Sequence, residues 1–277
     1  MTSLLQAFCR ICFPVLMSLP IWMLCAKAET PIQQQEQPSF FLGAHAKGYI
    51  TFHSLQAPVR SELVPWFEEQ SFTGNNIAGA GGGISAMYQT ETGWSLRAGV
   101  SYSSISTSLV WEEPPRSIPE LPGGDTIIPS RSAYRYDINS SFLTADILAA
   151  VSLFESFPLG AVGGLSIDFP LEAKYKYTQN LLEPLDVSFD TVGSPYRFEN
   201  FNRTMVISES SFSGIQVNLT GGLQYIFQLK KRGRDLGVAI VPSVLYSFPL
   251  KAFSAGNSTT EWKFSRLHMG VDLLFRL

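Results

Sequence analysis

The 277-residue chain has three histidines, His45, His53 and His268, and Asp272 follows the last of them by four positions. An imidazole beside a carboxylate and a hydroxyl could support hydrolysis, provided nucleophile and base lie within hydrogen-bond reach. No G-x-S-x-G stretch offers a nucleophile on a strained turn. Three histidines without cysteines beyond residue 25 are a poor donor set for zinc. The glycines of AGAGGGI, residues 78–84, are spaced like a phosphate loop, but no Lys-Ser/Thr follows them. The basic tract LKKRGRD, residues 229–235, reads as a solvated turn. His45, His268 and Asp272 therefore read as members of an interior hydrogen-bond network. The expectation is of a protein that is not an enzyme and has no metal site and no cofactor.

The elements that carry these residues alternate apolar and polar positions with period two, and helical periodicity is hard to find. In FFLGAHAKGYITFH, residues 40–53, Leu42, Ala44, Ala46, Ile50 and Phe52 oppose His45, Lys47, Tyr49, Thr51 and His53. The same pattern recurs in ISAMYQ, WSLRAGVSYSS, SSFLTADILAAVSLF, LGAVGGLSIDF, FSGIQVNLTGGLQYIFQ, LGVAIVPSVLYSF and the terminal WKFSRLHMGVDLLFRL. These are eight candidate strands of about ten residues or more, where a globular protein favours about 5–6. A tilted transmembrane strand needs about 9–11. Short turns, TETG, ESFP and LKKRGRD, alternate with long segments at 55–74, 105–139, 170–211 and 250–260. Long loops on one side and short turns on the other are the pattern of a membrane barrel.

The N-terminus fits export. Arg10 precedes an apolar, Pro-broken run at residues 11–24, and Ala26-Lys27-Ala28 forms an A-x-A cleavage site. The reading is a signal peptide at 1–28, a short segment at 29–39 and a barrel at 40–277. All three cysteines fall in the signal, so the mature chain is held without disulfides. It keeps 18 basic and 23 acidic residues, too acidic a balance for a nucleic-acid footprint. No later stretch reaches the roughly 18 apolar residues of a membrane helix.

Alternation alone does not say which face meets lipid. The polar face is rich in Gly, Ser, Thr, Asn and Gln and carries isolated charges of both signs. Lys47, Arg97, Asp146, Asp168, Arg266, His268 and Asp272 are expected to point inward and pair, because burial without a partner is costly. Aromatics gather near strand ends, among them Phe40, Phe52, Tyr88, Trp94, Tyr102, Phe169, Phe248, Trp262, Phe264 and Phe275, as expected of two interfacial girdles. His268, Gly270, Leu273 and Phe275 have the polar, Gly, apolar, apolar spacing of a terminal insertion signal, although Arg276 and Leu277 follow where an aromatic often sits last.

From residue 40 to the end the chain resembles the small eight-stranded outer-membrane barrels, the OmpA-like and PorT-like group, especially Bacteroidetes/Chlorobi forms. The resemblance rests on FFLGAHAKGYITFH, AGAGGGISAMY, GWSLRAGVSYSS, PLGAVGGLSIDFPLE and GVDLLFRL. It implies an all-β, antiparallel, up-and-down transmembrane barrel with four long extracellular loops and three short periplasmic turns. It also implies a bacterial outer-membrane location, contact with outer-membrane lipids, and help from the barrel-assembly machinery during insertion. The expected role is structural or surface-interactive, with loops offered to a surface ligand and an interior filled by side chains. The competing readings are a narrow channel or conduit for small or hydrophobic molecules, an outer-membrane lipid-modifying enzyme, and a soluble ligand-binding barrel with the two faces exchanged.

Overall fold

The computed structural model describes residues 38–59, 68–74, 76–90, 93–114, 116–119, 127–154, 157–183, 188, 194, 196–231, 234–255 and 260–277. The proposed signal peptide lies outside them. Alternating β-branched, aromatic and small residues favour extended chain, and eight long strands result. They are β1 (Ser39–Val59), β2 (Ile77–Gln89), β3 (Trp94–Glu112), β4 (Ile127–Ser152), β5 (Leu159–Glu183), β6 (Gln216–Tyr225), β7 (Arg234–Pro249) and β8 (Glu261–Arg276). Each pairs antiparallel with its sequence neighbours. β8 then pairs with β1 from Phe41↔Arg276 to Gln56↔Glu261, which closes the ring. The Leu277 amide donates to the Phe40 carbonyl at 2.9 Å. The last strand thus has no free edge, the feature that invites aggregation in open sheets.

One half of the ring, next to the short turns, wears its apolar side chains outside. Leu42, Ile84, Leu96, Val100, Ile147, Leu165, Leu219, Val244 and Leu273 are all exposed, Ile84 at 64 % and Ile147 at 63 %. Their polar neighbours at alternate positions, His45, Thr51, Ser85, Arg97, Thr144, Asp146, Asp168 and Asp272, are buried. This is the reverse of a soluble barrel, and the fold is an all-β antiparallel eight-stranded barrel of the inverted kind. Exposed aromatics mark both ends of the band: Phe40, Tyr88, Trp94 and Phe154 at one, Phe52, Tyr102, Phe169 and Phe248 at the other. Trp262 and Phe264 do not join them. Both are buried to within 1 %, because they share the even-numbered face of β8 with Arg266.

Toward the other end the polarity switches. On β4, Leu143, Ala145 and Ile147 face outward, but nine residues earlier Tyr134, Tyr136 and Ile138 face inward and Arg135 and Asn139 face out. The same change occurs after Phe52 on β1 and after Tyr102 on β3. The inner wall here is one apolar cluster, including Leu55, Phe72, Ile105, Leu109, Tyr134, Tyr136, Ile138, Phe142, Tyr177, Phe212, Phe253, Trp262 and Phe264. Short strands pair along the edges of the long ones and carry this wall onward: Glu68–Gly74, Arg116–Pro119, Arg197–Glu199, Thr204–Ser211 and Phe253–Ser254. Much of what alternation reads as long loops is therefore a continuation of the barrel. At about 3.3 Å per residue the 26 residues of β4 reach roughly 85 Å. Even at a tilt of about 45° that far exceeds a hydrocarbon layer of about 30 Å.

Candidate functional site

Every inward position in the apolar-banded half follows from the pleat: residues of one parity point into the ring, and neighbouring strands place them at the same level. Among the described residues three ion pairs cross this lumen. Lys47 of β1 donates to Asp146 of β4 at 2.6 Å. Arg97 of β3 reaches Asp272 of β8 at 2.8 Å. Arg266 of β8 places Nη2 on both oxygens of Asp168 of β5. Three cations and three carboxylates leave this set neutral.

Neutral groups complete the coordination. Ser85 donates to Asp272 Oδ1 at 2.7 Å. Thr144 donates to Asp168 Oδ1 at 2.6 Å and Asn218 to Oδ2 at 2.8 Å. Gln216 spans Asn218 Oδ1 at 2.8 Å and the Phe264 carbonyl at 3.0 Å. Ser166, Thr220, Ser247 and His268 form a chain with links of 2.8, 2.8 and 3.0 Å. Buried carboxylates held by several donors are charge-assisted bonds at their strongest. The cavity beside Lys47, Tyr49, Gly81, Ser101, Thr144, Arg266 and His268 measures about 10 Å³, room for about one water molecule.

Lys47, Arg97, Asp146, Asp168, Arg266, His268 and Asp272 all face the lumen and all make side-chain contacts with one another or with neutral partners. His45 and His268 stand on adjacent strands but do not meet. His45 Nδ1 lies 3.7 Å from Asp272 Oδ1, while His268 bonds Ser247. Ser85 donates to Asp272 and not to His45, so no hydroxyl, imidazole and carboxylate fall into a relay there. His53 bonds Thr51 at 2.9 Å and stacks on Trp262 with ring centroids 5.9 Å apart. Gly270 sits opposite Lys47, and a Cβ there would stand 3.0 Å from the Lys47 Cγ; the glycine leaves room for the lysine stem. Leu273 and Phe275 face outward, 43 % and 49 % exposed.

Two apolar layers bound the network. Phe41, Met87, Ala239, Val241 and Leu274 pack together at the short-turn end. At the other end lies the aromatic sleeve, where Tyr136 and Tyr177 stack at 4.3 Å and Phe72 meets Tyr136 edge-on at 5.0 Å. Burial drives both the Tyr136 and Tyr177 phenols well above the ordinary value. On the sleeve's outer face a hydrogen bond from Lys176 holds the Glu199 carboxyl below its usual value, with Arg197 adding to the effect. Sequence reasoning missed Ser85, Thr144, Ser166, Gln216, Asn218, Thr220 and Ser247 as network members. Their parity on each strand, shared with the charged residues, was the available signal. The aromatic sleeve was missed because its signal lies in the opposite phase.

Compared with protein-family models the chain matches none, and it matches no curated protein. Among solved structures it is similar to Neisserial surface protein A, at 12 % identity over 87 % of this chain and all of that one, TM-score 0.32. It is likewise similar to Ail, the attachment invasion locus protein of Yersinia pestis, at 12 % identity over 86 % of this chain and 99 % of that one, TM-score 0.28. A third is the translocator domain of autotransporter NalP from Neisseria meningitidis, at 9 % identity over 85 % and 89 %, TM-score 0.25. The likeness concerns the fold alone.

Proposed function

We propose that the chain is a bacterial outer-membrane protein whose banded half spans the lipid and whose sleeve stands outside it as a platform for surface contact. The observation that carries this is the exchange of polarity along single strands. Leu143 and Ile147 are exposed on the same face of β4 that carries Arg135 further along. An apolar wall stabilises a barrel only against lipid, and an apolar interior with a polar wall stabilises one only in water. Each half therefore suits a different solvent. The role is structural and interactive, with a filled lumen, no wide pore and no catalysis. In this reading the segment at 1–28 exports the chain and His268, Gly270, Leu273 and Phe275 present it to the assembly machinery. The barrel belongs with the OmpA-like and PorT-like forms, and the sleeve's rim meets a surface ligand.

Fractionation tests the location. An outer-membrane band that changes mobility on boiling supports the reading, and a soluble, unshifted protein refutes it. Planar bilayers test the lumen: steady nanosiemens conductance from purified protein would contradict an interior closed by two apolar layers and three crossing ion pairs.

A further inference from the structure

The wall has a gap where the two solvents would meet. The ladder between β5 and β6 ends at Asp168↔Gln216, and the ladder between β5 and Thr204–Ser211 begins at Lys174↔Ser211. Between them Phe212 N donates to the Ala173 carbonyl at 2.8 Å. On the other edge of β5 the register shifts, with Phe142↔Pro170 and Ser141↔Glu172 leaving Leu171 bulged out, and Pro170 has no amide to donate.

The result is an open-sided cleft of about 540 Å³, within the roughly 300–1,000 Å³ of small-molecule sites. Its floor is Ala173 and Phe212, both buried. The Phe212 ring packs on Tyr175 at 4.8 Å and Trp262 at 5.3 Å, which sets the floor against the sleeve's aromatic cluster. One side is apolar and continuous with the outward band, with Phe169 39 % and Leu171 61 % exposed beside Ile215. The rim is polar: Ser211, Ser213, and Lys174 bonded to Glu172 at 2.6 Å. A Cβ added at Gly214 would meet nothing within 4 Å, so the mouth is open.

We propose that this cleft seats one acyl chain of a lipid from the surrounding leaflet, with the lipid's polar end at Ser211, Ser213 and Lys174. The inference rests on the membrane-spanning reading above. The occupant follows from position: the apolar side continues the face that would touch lipid, and the polar rim lies at the level where the wall changes solvent. Neither a water-soluble ligand nor a second barrel needs both halves of that pattern.

The test uses the full barrel in detergent, stripped of lipid and titrated with dimyristoyl phosphatidylglycerol, with bound lipids counted by native mass spectrometry. Ser211→Trp fills the cleft from an exposed position, and Leu171→Asn removes its apolar side. Gly163→Leu alters the outward wall elsewhere, at a site where an added Cβ meets nothing within 4 Å. The expected result is one lipid retained by the native chain and by Gly163→Leu, with binding at least tenfold weaker in Ser211→Trp and several-fold weaker in Leu171→Asn. Equal lipid counts and affinities in all four proteins would overturn the cleft while leaving the barrel intact. The heat-modifiability of each variant is read first: a native chain that is soluble and unshifted would overturn the membrane reading and the cleft with it.

Discussion

Removing the charge of Asp168 is the most direct challenge to the interior network. Its side chain is fully buried, and Arg266, the cation on it, is 2 % exposed. Both carboxylate oxygens accept from Arg266, and Thr144 and Asn218 add one bond each. Asp168→Asn leaves a guanidinium buried without a counter-charge, a change that costs about 3–5 kcal/mol in comparable buried pairs. At about 1.4 kcal/mol per decade the unfolding constant rises roughly a hundred- to several-thousand-fold. Arg266→Met should cost a similar amount. The double variant should cost less than the sum, with a coupling of at least about 1.5 kcal/mol, as measured for close charge pairs elsewhere. The assay is urea unfolding in vesicles, with the folded fraction read from unboiled gel mobility. The exposed pair Arg197–Glu209, at 2.7 Å with side chains 59 % and 51 % exposed, is the internal comparison and should couple by less than about 1 kcal/mol. A coupling below about 0.5 kcal/mol at Asp168 and Arg266, the ordinary error of additivity, would refute the claim that the pair acts as a buried unit.

Three further outcomes are expected. A Cβ at Gly83 would stand 1.9 Å from the Val100 carbonyl oxygen, whereas one at Gly163 meets nothing within 4 Å. Gly83→Ala should therefore destabilise by about 1–3 kcal/mol as overpacking does, and Gly163→Ala should leave the urea midpoint nearly unchanged. The depressed Glu199 carboxyl contributes order that is present above its ordinary value of 4.5 and is lost as pH falls through its lower folded value. Protease nicking of residues 197–211 should rise on acidification, and Lys176→Gln should weaken that pH dependence, leaving the smaller part that Arg197 supplies. The raised Tyr136 and Tyr177 phenols favour the folded state below the ordinary value of 10.0, and that contribution is lost as pH climbs above it. Both should be missing from the first wave of tyrosinate absorption, and Phe72→Ala, which removes a ring packed on both, should bring at least one of them into it.

The banded half was legible in the sequence because one rule governs it throughout: apolar residues of one parity outside, polar residues of the other inside. That rule predicts the outward Leu42, Leu96, Ile147 and Leu273 and the inward Lys47, Arg97, Asp168 and Asp272. The sleeve escaped because the rule changes sign without changing period. Residues 131–139 alternate as cleanly as residues 143–151, but Tyr134, Tyr136 and Ile138 are apolar on the even positions and Leu143, Ala145 and Ile147 on the odd ones. A reader who expects one greasy face per strand sees the phase break as the strand's end. On β5 the bulge at Leu171 hides the continuation further. Trp262 and Phe264 were misread for the same reason: strand-end aromatics serve a girdle only on the outward parity, and theirs is inward. Which neutral side chains finish each charge could not be read from one strand, since Thr144, Asn218 and Asp168 meet only after three strands are set in register.

The crossing pairs also constrain how the ring can form. Lys47 and Asp146, Arg97 and Asp272, and Asp168 and Arg266 each join strands three apart around the barrel, so no pair merely repeats an adjacent ladder. Backbone bonding and the two faces already exclude a one-residue slip, which would turn every side chain to the wrong side. They do not exclude a two-residue slip, since parity is kept and every rung can re-form. Such a slip moves a side chain along the strand by about 6.6 Å, and a contact like the 2.8 Å one between Arg97 and Asp272 cannot survive it. A slip of β8 against β1 would displace Asp272 and Arg266 together and leave Arg97 and Asp168 buried without their counter-charges, a penalty of several kcal/mol for each ion. The charges inside the barrel thus select among registers that hydrophobic patterning leaves equivalent. Neutral hydroxyls and amides filling the same space would penalise such a slip less, because an unpaired buried ion costs more than an unpaired neutral group.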